Sequence, residues 1–231
     1  MPRQSMQFLF GDRELRISVS DLLTARVAVI VNSANPALTH DDGLSATILA
    51  AAGETLREQS AQLLREYGQI DSGMALYTSA GQLPFAAVIH AVGPQAGEED
   101  GQRTIEQAVS RSLLLCEANA WNSIAFPALG SGRGGGSIET CARAFHRAIT
   151  HFWDARSDCM VETIRLCLTG EQFRPFFAAF REEATVPQEP DRVPDAPAGF
   201  ATGGGEPTGE IELSEAEIAD LESEDMADWF K

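Results

Sequence analysis

Short apolar runs and longer amphipathic segments alternate along most of the chain. The apolar runs, such as Val27–Val31, contain β-branched residues and stop at turns, which is typical of strands buried inside a sheet. The longer segments repeat their apolar residues every three or four positions, which is typical of helices with one face in a core. This alternation continues to Arg181 and predicts an α/β domain with a mainly parallel or mixed sheet.

The alternation also predicts where each element lies. We predict strands at Met6–Phe10, Leu15–Val19, Val27–Val31, Gly73–Thr78, Ala86–Ala91, Ser123–Pro127 and Thr163–Leu168. We predict helices at Leu44–Tyr67, Thr104–Asn119, Ser137–Phe152 and Glu171–Arg181. Gly11 and Asp12 signal a hairpin turn, Gly53 is expected to break the first helical segment in two, and Ser137 is the expected N-cap of its helix.

Two segments, Val29–Leu44 and Phe126–Gly136, join an apolar run to a loop of small residues. Glycine lets backbone N–H groups approach an anion closely because it has no Cβ. Ligands of α/β sheets bind beyond the carboxyl ends of the strands, and both loops follow predicted strands. The two loops together predict a clamp around a diphosphate or a ribose phosphate.

Acidic residues are concentrated near the end of the chain. The formal net charge is −17; residues 1–181 hold 15 basic and 19 acidic side chains, whereas residues 182–231 hold 2 basic and 15 acidic ones. Proteins that bind the outside of a nucleic acid neutralise its phosphates with Lys and Arg. We therefore expect no nucleic-acid partner, although backbone amides of a nearly neutral body can still hold a small anion.

Proline and glycine are frequent beyond Arg181, which is typical of a linker without a core of its own. Further on, Ser214–Glu217 matches a capping box and precedes apolar residues at Ile218, Leu221, Met226 and Trp229. Two interpretations stay open for this segment. It is either a disordered solubilising tail or a short helix that docks on a partner or on the protein's own body.

The four cysteines, Cys116, Cys141, Cys159 and Cys167, lack the spacing of a metal site, and buried thiols in a reducing compartment are expected. His90 and Cys116 are interpreted as core and strand-end residues, because no third group is placed to orient them as a catalytic pair. No segment approaches the roughly 18 apolar residues of a membrane span, and no signal-peptide pattern is present. We expect a cytoplasmic protein without membrane contact, metal or cofactor.

Three segments stand in order along the chain: Asn32–Asn35 with Pro36, Ala87–Pro94 and Phe126–Gly132. They resemble the Asn-Ala-Ala-Asn signature, a second family segment and the phosphate loop of the macrodomains, which bind ADP-ribose. The resemblance covers roughly Met6 to Arg181. It implies a three-layer α/β/α fold with a mixed, mainly parallel sheet in residues 1–183, followed by a linker at 184–210 and an acidic tail at 211–231.

The resemblance implies a role for several polar residues. Asp21, beside Leu22, matches the acidic residue that accepts a hydrogen bond from the adenine amino group, and a turn or N-cap role is the alternative. Asn35 matches the residue at the distal ribose, where an amide can both donate to and accept from a diol. Asn32, also part of the signature, is expected mainly to tie loops together.

The resemblance further implies that backbone amides of two loops hold the diphosphate. The residues assigned to these loops are Gly43, Leu44, Gly130, Ser131, Gly132, Arg133 and Gly134. Some relatives stack an aromatic residue on the adenine after the last strand, where Thr169 stands here. Phe173, one helical turn further on, is expected to replace that aromatic residue.

The chain departs from the family pattern beside the first loop. Asp41 and Asp42 stand where many relatives have glycine, and Ser45 stands where hydrolytic relatives have a catalytic Asp. One interpretation is that Asp41 or Asp42 serves as general base near the distal ribose, with Asn35 orienting that ribose. The alternative is a loop variation at the pocket mouth.

The resemblance implies a protein that binds ADP-ribose or an ADP-ribosylated macromolecule and hydrolyses mono-ADP-ribosyl or O-acyl-ADP-ribose ester linkages. The alternative is a non-catalytic ADP-ribose reader, or an interaction protein that recruits a protein partner through its acidic C-terminal tail. Absence of the usual Asp at Ser45 favours this alternative.

Overall fold

The computed structural model of the protein describes residues 5–131 and 136–185. Within these ranges the strands are β1 (Ser5–Phe10), β2 (Arg13–Val19), β3 (Val29–Ala34), β4 (Ala75–Ser79), β5 (Ala87–Val92), β6 (Ser123–Phe126) and β7 (Thr163–Leu168). The α-helices are α1 (Gly43–Ala52), α2 (Glu54–Tyr67), α3 (Gly101–Ala118), α4 (Ile138–Asp154) and α5 (Gly170–Thr185). A short 3-10 helix spans Leu22–Thr24.

The strands form one sheet in the order β1-β2-β7-β6-β3-β5-β4. The five inner strands β2, β7, β6, β3 and β5 are parallel to one another, whereas β1 and β4 pair antiparallel at the two edges. The carboxyl ends of all five inner strands therefore lie along the same edge of the sheet.

Side chains of the inner strands alternate between two hydrophobic cores. Val29 and Val31 pack with residues of α3, α4 and α5, whereas Ile30 between them packs with residues of α1 and α2. Because helices cover both faces, the inner strands are apolar on both sides, and all six residues of β5 are buried. This three-layer α/β/α arrangement confirms the predicted fold class.

The structure contains every strand and helix that the pattern predicts up to Arg181, with shifted bounds. Gly53 has a φ of 85° and separates α1 from α2, as predicted. The largest shift in a strand is in β3, which ends at Ala34 rather than Val31, because Asn32, Ser33 and Ala34 continue the pairing with β5. This extension carries the polar signature residues to the carboxyl edge.

The last helix, α5, ends at Thr185, two residues beyond the predicted end of the domain. The rest of the predicted linker and the whole predicted tail lie outside the described residues, so both remain predictions. Among the residues described, none of the helices combines the length and apolar character that crossing a membrane requires.

Ser137 begins α4 as the sequence predicts, and its Oγ accepts a hydrogen bond from the Thr140 N–H at 3.0 Å. Ser137→Ala should lower the free energy of unfolding by about 1 kcal/mol because it removes this cap. Ser137→Asp should retain the stability, because a carboxylate accepts the same bond and favours a helix N-terminus. Urea unfolding measures both, and equal losses in the two variants would contradict the capping role.

Candidate functional site

A cleft of about 810 Å³ lies along the carboxyl edge of the sheet. The segments that follow β2, β3, β5, β6 and β7 line this cleft together with the start of α1. The lining residues in the described ranges are 19–22, 33–35, 39, 42–45, 93–96, 127, 128, 130, 131, 167–169 and 172. The cleft therefore occupies the position where α/β sheets bind their ligands.

Asp21 lies at the cleft directly after β2 and its side chain is exposed. Its Oδ1 accepts a hydrogen bond from the Leu23 N–H at 3.0 Å and thereby caps the 3-10 helix. Capping uses one carboxylate oxygen, so a carboxylate here can both cap the helix and accept a further bond from a ligand. Leu22 also lines the cleft, while the rest of its side chain is buried against the α1 side of the sheet.

Asn35 lies at the cleft directly after β3. Its Oδ1 accepts a hydrogen bond from the Thr39 N–H at 3.1 Å, and its Nδ2 donates to Thr39 Oγ1 at 2.8 Å. These two bonds close the loop between β3 and α1. They hold the amide of Asn35 in place at the cleft without help from a ligand.

The structure brings Asp42, but not Asp41, to the cleft. Asp42 immediately precedes α1 and its side chain makes no capping bond to the helix. Gly43 and Leu44, the first residues of α1, line the cleft beside it. Of the two carboxylates predicted as general bases, only Asp42 is therefore placed near a ligand in this cleft.

Gly130 and Ser131 form the cleft wall after β6. Gly130 has a φ of 70°, and a Cβ there would lie 2.9 Å from Pro94 Cδ, so this close approach of two loops requires glycine. Ser131 Oγ donates to the Ala128 carbonyl at 3.0 Å. Gly132, Arg133 and Gly134 lie outside the described residues, and their predicted roles at the diphosphate remain predictions.

Thr169 lies at the cleft after β7 and forms a reciprocal cap with Gln172 at the start of α5. The Thr169 N–H donates to Gln172 Oε1 at 3.1 Å, and the Gln172 N–H donates to Thr169 Oγ1 at 3.4 Å. Gln172 Nε2 also reaches Ser131 Oγ at 3.4 Å, which links two walls of the cleft. Gln172 was not predicted from the sequence as a residue of the site, although Thr169 and Gln172 have capping-box spacing.

Phe173 does not line the cleft, which corrects the expectation that it stacks on adenine. It is 8% exposed and lies in the core between the sheet and the helices α4 and α5. Its ring stacks on Phe177 with centroids 6.0 Å apart. The spacing of Phe173, Phe176 and Phe180 puts all three on the buried face of α5, so the first ring follows the helix into the core.

A chain of hydrogen bonds between polar side chains lies behind the cleft. Asn32 is fully buried, and its Nδ2 lies 3.1 Å from Ser45 Oγ and 3.2 Å from His90 Nδ1. The other ring nitrogen of His90, Nε2, lies 3.0 Å from Thr78 Oγ1. Asn32 therefore ties β3 to α1 and β5 and does not line the cleft itself.

His40 extends this chain from the loop before α1. Its Nδ1 lies 2.7 Å from Ser45 Oγ, and its Nε2 lies 3.0 Å from Ser60 Oγ on α2. Neither His40 nor Ser60 was predicted from the sequence to have a role in the site. The spacing gives no local signal for this pair, because 20 residues and a helix break separate them.

Burial favours the neutral form of both histidines behind the cleft, His40 and His90. It lowers the pKa of His90 to about 3, with the charge of His40 as a smaller cause. Burial also lowers the pKa of His40, Arg57 adds to this effect, and Asp41 opposes it. Near pH 7 each ring therefore has one N–H donor and one acceptor nitrogen.

The interpretation of His90 and Cys116 as core residues is confirmed, since both are fully buried. Burial raises the pKa of Cys116 to about 12, so its sulfur stays a thiol at neutral pH. Within residues 5–131 and 136–185, no three His, Cys, Asp or Glu side chains are grouped closely enough to hold a metal ion.

We expect acid to destabilise the fold through His90. An unfolded histidine binds a proton near pH 6.5, whereas folded His90 does so near pH 3, so the unfolded state takes up the proton first as the pH falls. Stability should decline below about pH 6.5, with His90 contributing about 2 kcal/mol between about pH 7.5 and about pH 5. His90→Gln, which has no titratable ring, should show a flatter pH dependence in urea unfolding.

The matched control is His151→Gln, because His151 is exposed on α4 and takes no part in the chain of hydrogen bonds. This variant should keep the steep dependence of the original protein. An equally steep dependence in His90→Gln would contradict the assignment of the acid-sensitive proton uptake to His90.

Comparison with known proteins relates this cleft to one family. The family model described as Macro domain matches residues 31–145. A Klebsiella pneumoniae protein named O-acetyl-ADP-ribose deacetylase is 40% identical over 138 residues, which are 59% of this chain and 79% of that protein. An uncharacterized Thermotoga maritima protein is 34% identical over 170 residues; the match covers 73% of this chain but only 28% of that protein.

A solved structure has the same fold. The Oceanobacillus iheyensis macrodomain, solved with ADP, superimposes with a TM-score of 0.71 at 25% identity. The superposition covers 80% of this chain and 96% of that one. The matched family model, the identity to the Klebsiella protein and the shared fold show that this chain belongs to the macrodomain family.

Proposed function

We propose that the cleft binds ADP-ribose or an ADP-ribose derivative and hydrolyses a bond at its distal ribose. The products would be ADP-ribose and either a free side chain or the carboxylic acid of an O-acyl ester. One observation carries the proposal. The polar groups along the cleft follow the order in which adenine, diphosphate and distal ribose follow one another in the ligand.

The order of the strands gives the order of these groups. Asp21 follows β2, Gly130 and Ser131 follow β6, and Asn35 follows β3, and the sheet order is β2-β7-β6-β3. At about 4.8 Å per strand, β2 and β3 are about 14 Å apart. An extended ADP-ribose along this edge would place adenine at Asp21, the diphosphate at the glycine-rich wall and the distal ribose at Asn35.

The diphosphate position suits an anion although the chain is acidic. The N-terminus of α1, with Gly43 and Leu44, lies on one side of the cleft, and its first N–H groups have no partner within the helix. Helix N-termini attract anions through these groups and through the helix dipole. No cluster of Lys and Arg is needed for this contact.

Two relatives support the proposal. The Klebsiella pneumoniae protein is named for the deacetylation of O-acetyl-ADP-ribose, and the Oceanobacillus iheyensis macrodomain was solved with ADP. Release of product separates the hydrolase from the alternative reader, because a reader would bind ADP-ribose without releasing acid or side chain. In the hydrolase, Asn35 would orient the ribose, and Asp42, which lines the cleft, is a candidate to accept a proton.

Asp21→Asn should weaken the binding of ADP-ribose and of AMP to the same extent. The amide oxygen can still cap the Leu23 N–H, but an NH₂ group replaces the acceptor that the adenine amino group needs. Loss of a hydrogen bond to a charged group should weaken both ligands about tenfold or more in calorimetric titration. Asp12→Asn, an exposed change in the β1–β2 turn, is the matched control. A loss for ADP-ribose alone would contradict adenine binding at Asp21.

Asn35→Ala should weaken the binding of ADP-ribose by about tenfold and leave the binding of AMP unchanged, because AMP has no distal ribose. Asn35→Ala should lower the rate of hydrolysis more than it weakens ADP-ribose binding, because the ribose loses its orientation. Thr39→Val removes one of the two bonds that hold the Asn35 amide, keeps the bond from the Thr39 N–H and the amide itself, and should cost less than Asn35→Ala. Equal losses in binding and turnover would contradict the orienting role.

A further inference from the structure

Ser45 combines access to the cleft with a short hydrogen bond to a histidine. It lines the cleft, and its Oγ lies 2.7 Å from His40 Nδ1. The far nitrogen of His40 lies 3.0 Å from Ser60 Oγ. A hydroxyl, a base within hydrogen-bond reach and a third group that orients the base are the parts of an activated nucleophile.

The hydrogen-bond chain behind the cleft fixes the direction of each proton up to Asn32. Thr78 Oγ1 donates to the Ser79 carbonyl, which can only accept. Thr78 must therefore accept from His90 Nε2–H, so His90 Nδ1 is an acceptor. Asn32 Nδ2 then donates to His90 Nδ1 with one of its two hydrogens.

The same chain of hydrogen bonds reaches Ser45. The second hydrogen of Asn32 Nδ2 is donated to Ser45 Oγ. Ser45 Oγ can then donate its own proton to His40 Nδ1; in this arrangement His40 carries its proton on Nε2 and donates it to Ser60 Oγ. This is the tautomer in which a histidine can take the proton of an attacking serine.

The surroundings of His40 keep it in its basic form. His40 is 8% exposed; burial lowers its pKa, Arg57 on α2 adds to that effect and Asp41 beside it opposes it. The ring of His90 lies 5.4 Å away on β5 and is itself neutral. His40 is thus neutral near pH 7, and one of its ring nitrogens has a lone pair that can accept a proton.

The position of Ser45 in α1 supplies a place for developing negative charge. It is the third residue of the helix, and Asp42 does not cap the first turn with its side chain. Backbone N–H groups at a helix start are donors without helical partners, and those that the diphosphate leaves unused can stabilise an oxyanion formed beside them. Ser45 therefore stands next to both a base and an anion-stabilising helix terminus.

We propose that Ser45 is a nucleophile that cleaves acyl esters, with His40 as its general base and Ser60 as the residue that positions His40. The proposal rests on the proposed function for its substrate class, an acyl ester of a ribose hydroxyl of ADP-ribose. It assigns the chemistry to the serine that stands at the position where hydrolytic relatives have Asp, and not to Asp42.

The reaction proceeds in two balanced steps. Ser45 Oγ bonds to the acyl carbon while its proton passes to His40 Nδ1; the ribose oxygen then leaves and takes that proton as a hydroxyl. Water next attacks the acyl-serine and gives a proton to His40 Nδ1. Ser45 Oγ leaves, recovers that proton, and the carboxylic acid is released.

Labelling with an alkyl fluorophosphonate tests the nucleophile without any need for ADP-ribose recognition. In the full chain, Ser45 Oγ should form a stable bond to phosphorus with loss of fluoride, and peptide mass spectrometry should find the label on Ser45. His40→Asn keeps an acceptor near the Nδ1 position but not a base, and should slow labelling by about a hundredfold or more. Thr47→Ala, which removes an exposed hydroxyl in the same helix, should label normally.

The pH profile separates a catalytic from a structural role of His40. The labelling rate should stay high below about pH 6.5 and fall only where His40 becomes protonated, because its pKa is lowered. In His40→Asn the remaining labelling rate should no longer fall at low pH. A Ser45–His40 bond that serves only the fold would leave Ser45 unlabelled at every pH, which would overturn the proposal.

Assays with O-acetyl-ADP-ribose connect the nucleophile to the cleft. Ser45→Ala should still bind ADP-ribose in calorimetric titration but lose acetate release, and retained acetate release would overturn the proposal. Labelling of Ser45 in a protein that does not bind ADP-ribose would refute the proposed function and leave the nucleophile standing. ADP-ribose binding without labelling of Ser45 would overturn the nucleophile and leave the proposed binding function standing.

Discussion

The direction of the five inner strands is the constraint on which the rest of this structure depends. Parallel strands that are covered by helices on both faces must be apolar along their length, so polar chemistry is confined to their ends. Because the five strands run the same way, the loops after β2, β7, β6, β3 and β5 meet at one edge and form one cleft. Sequence segments that are far apart are thereby brought together around one ligand-sized space.

An acidic chain can bind an anion in this cleft because the contacts expected for the anion come from the backbone. The start of α1 and the Gly130 turn present N–H groups rather than basic side chains. The polar side chains behind the cleft are neutral, since burial disfavours the charged forms of His40 and His90. A neutral network costs no charge burial and can hold Ser45 in position.

The spacing of apolar residues was sufficient to predict the fold, because buried strands and amphipathic helices differ in how often apolar residues recur. The break at Gly53 and the cap at Ser137 were also predictable, since both depend on neighbouring residues only. The site was harder to predict. Phe173 lies on the buried face of its helix and therefore points into the core. Ser45 replaces the Asp of the family pattern, and its bond to His40 could not be predicted, because no sequence motif describes the loop that brings the two side chains together.

A crystal structure of the protein with ADP-ribose tests the assignment of the cleft most directly. The adenine amino group should lie within hydrogen-bond distance of Asp21, the diphosphate should lie between the start of α1 and Gly130, and the distal ribose should contact Asn35 beside Ser45. ADP-ribose bound in the opposite direction, or outside the cleft, would contradict the order of groups on which the proposed function rests.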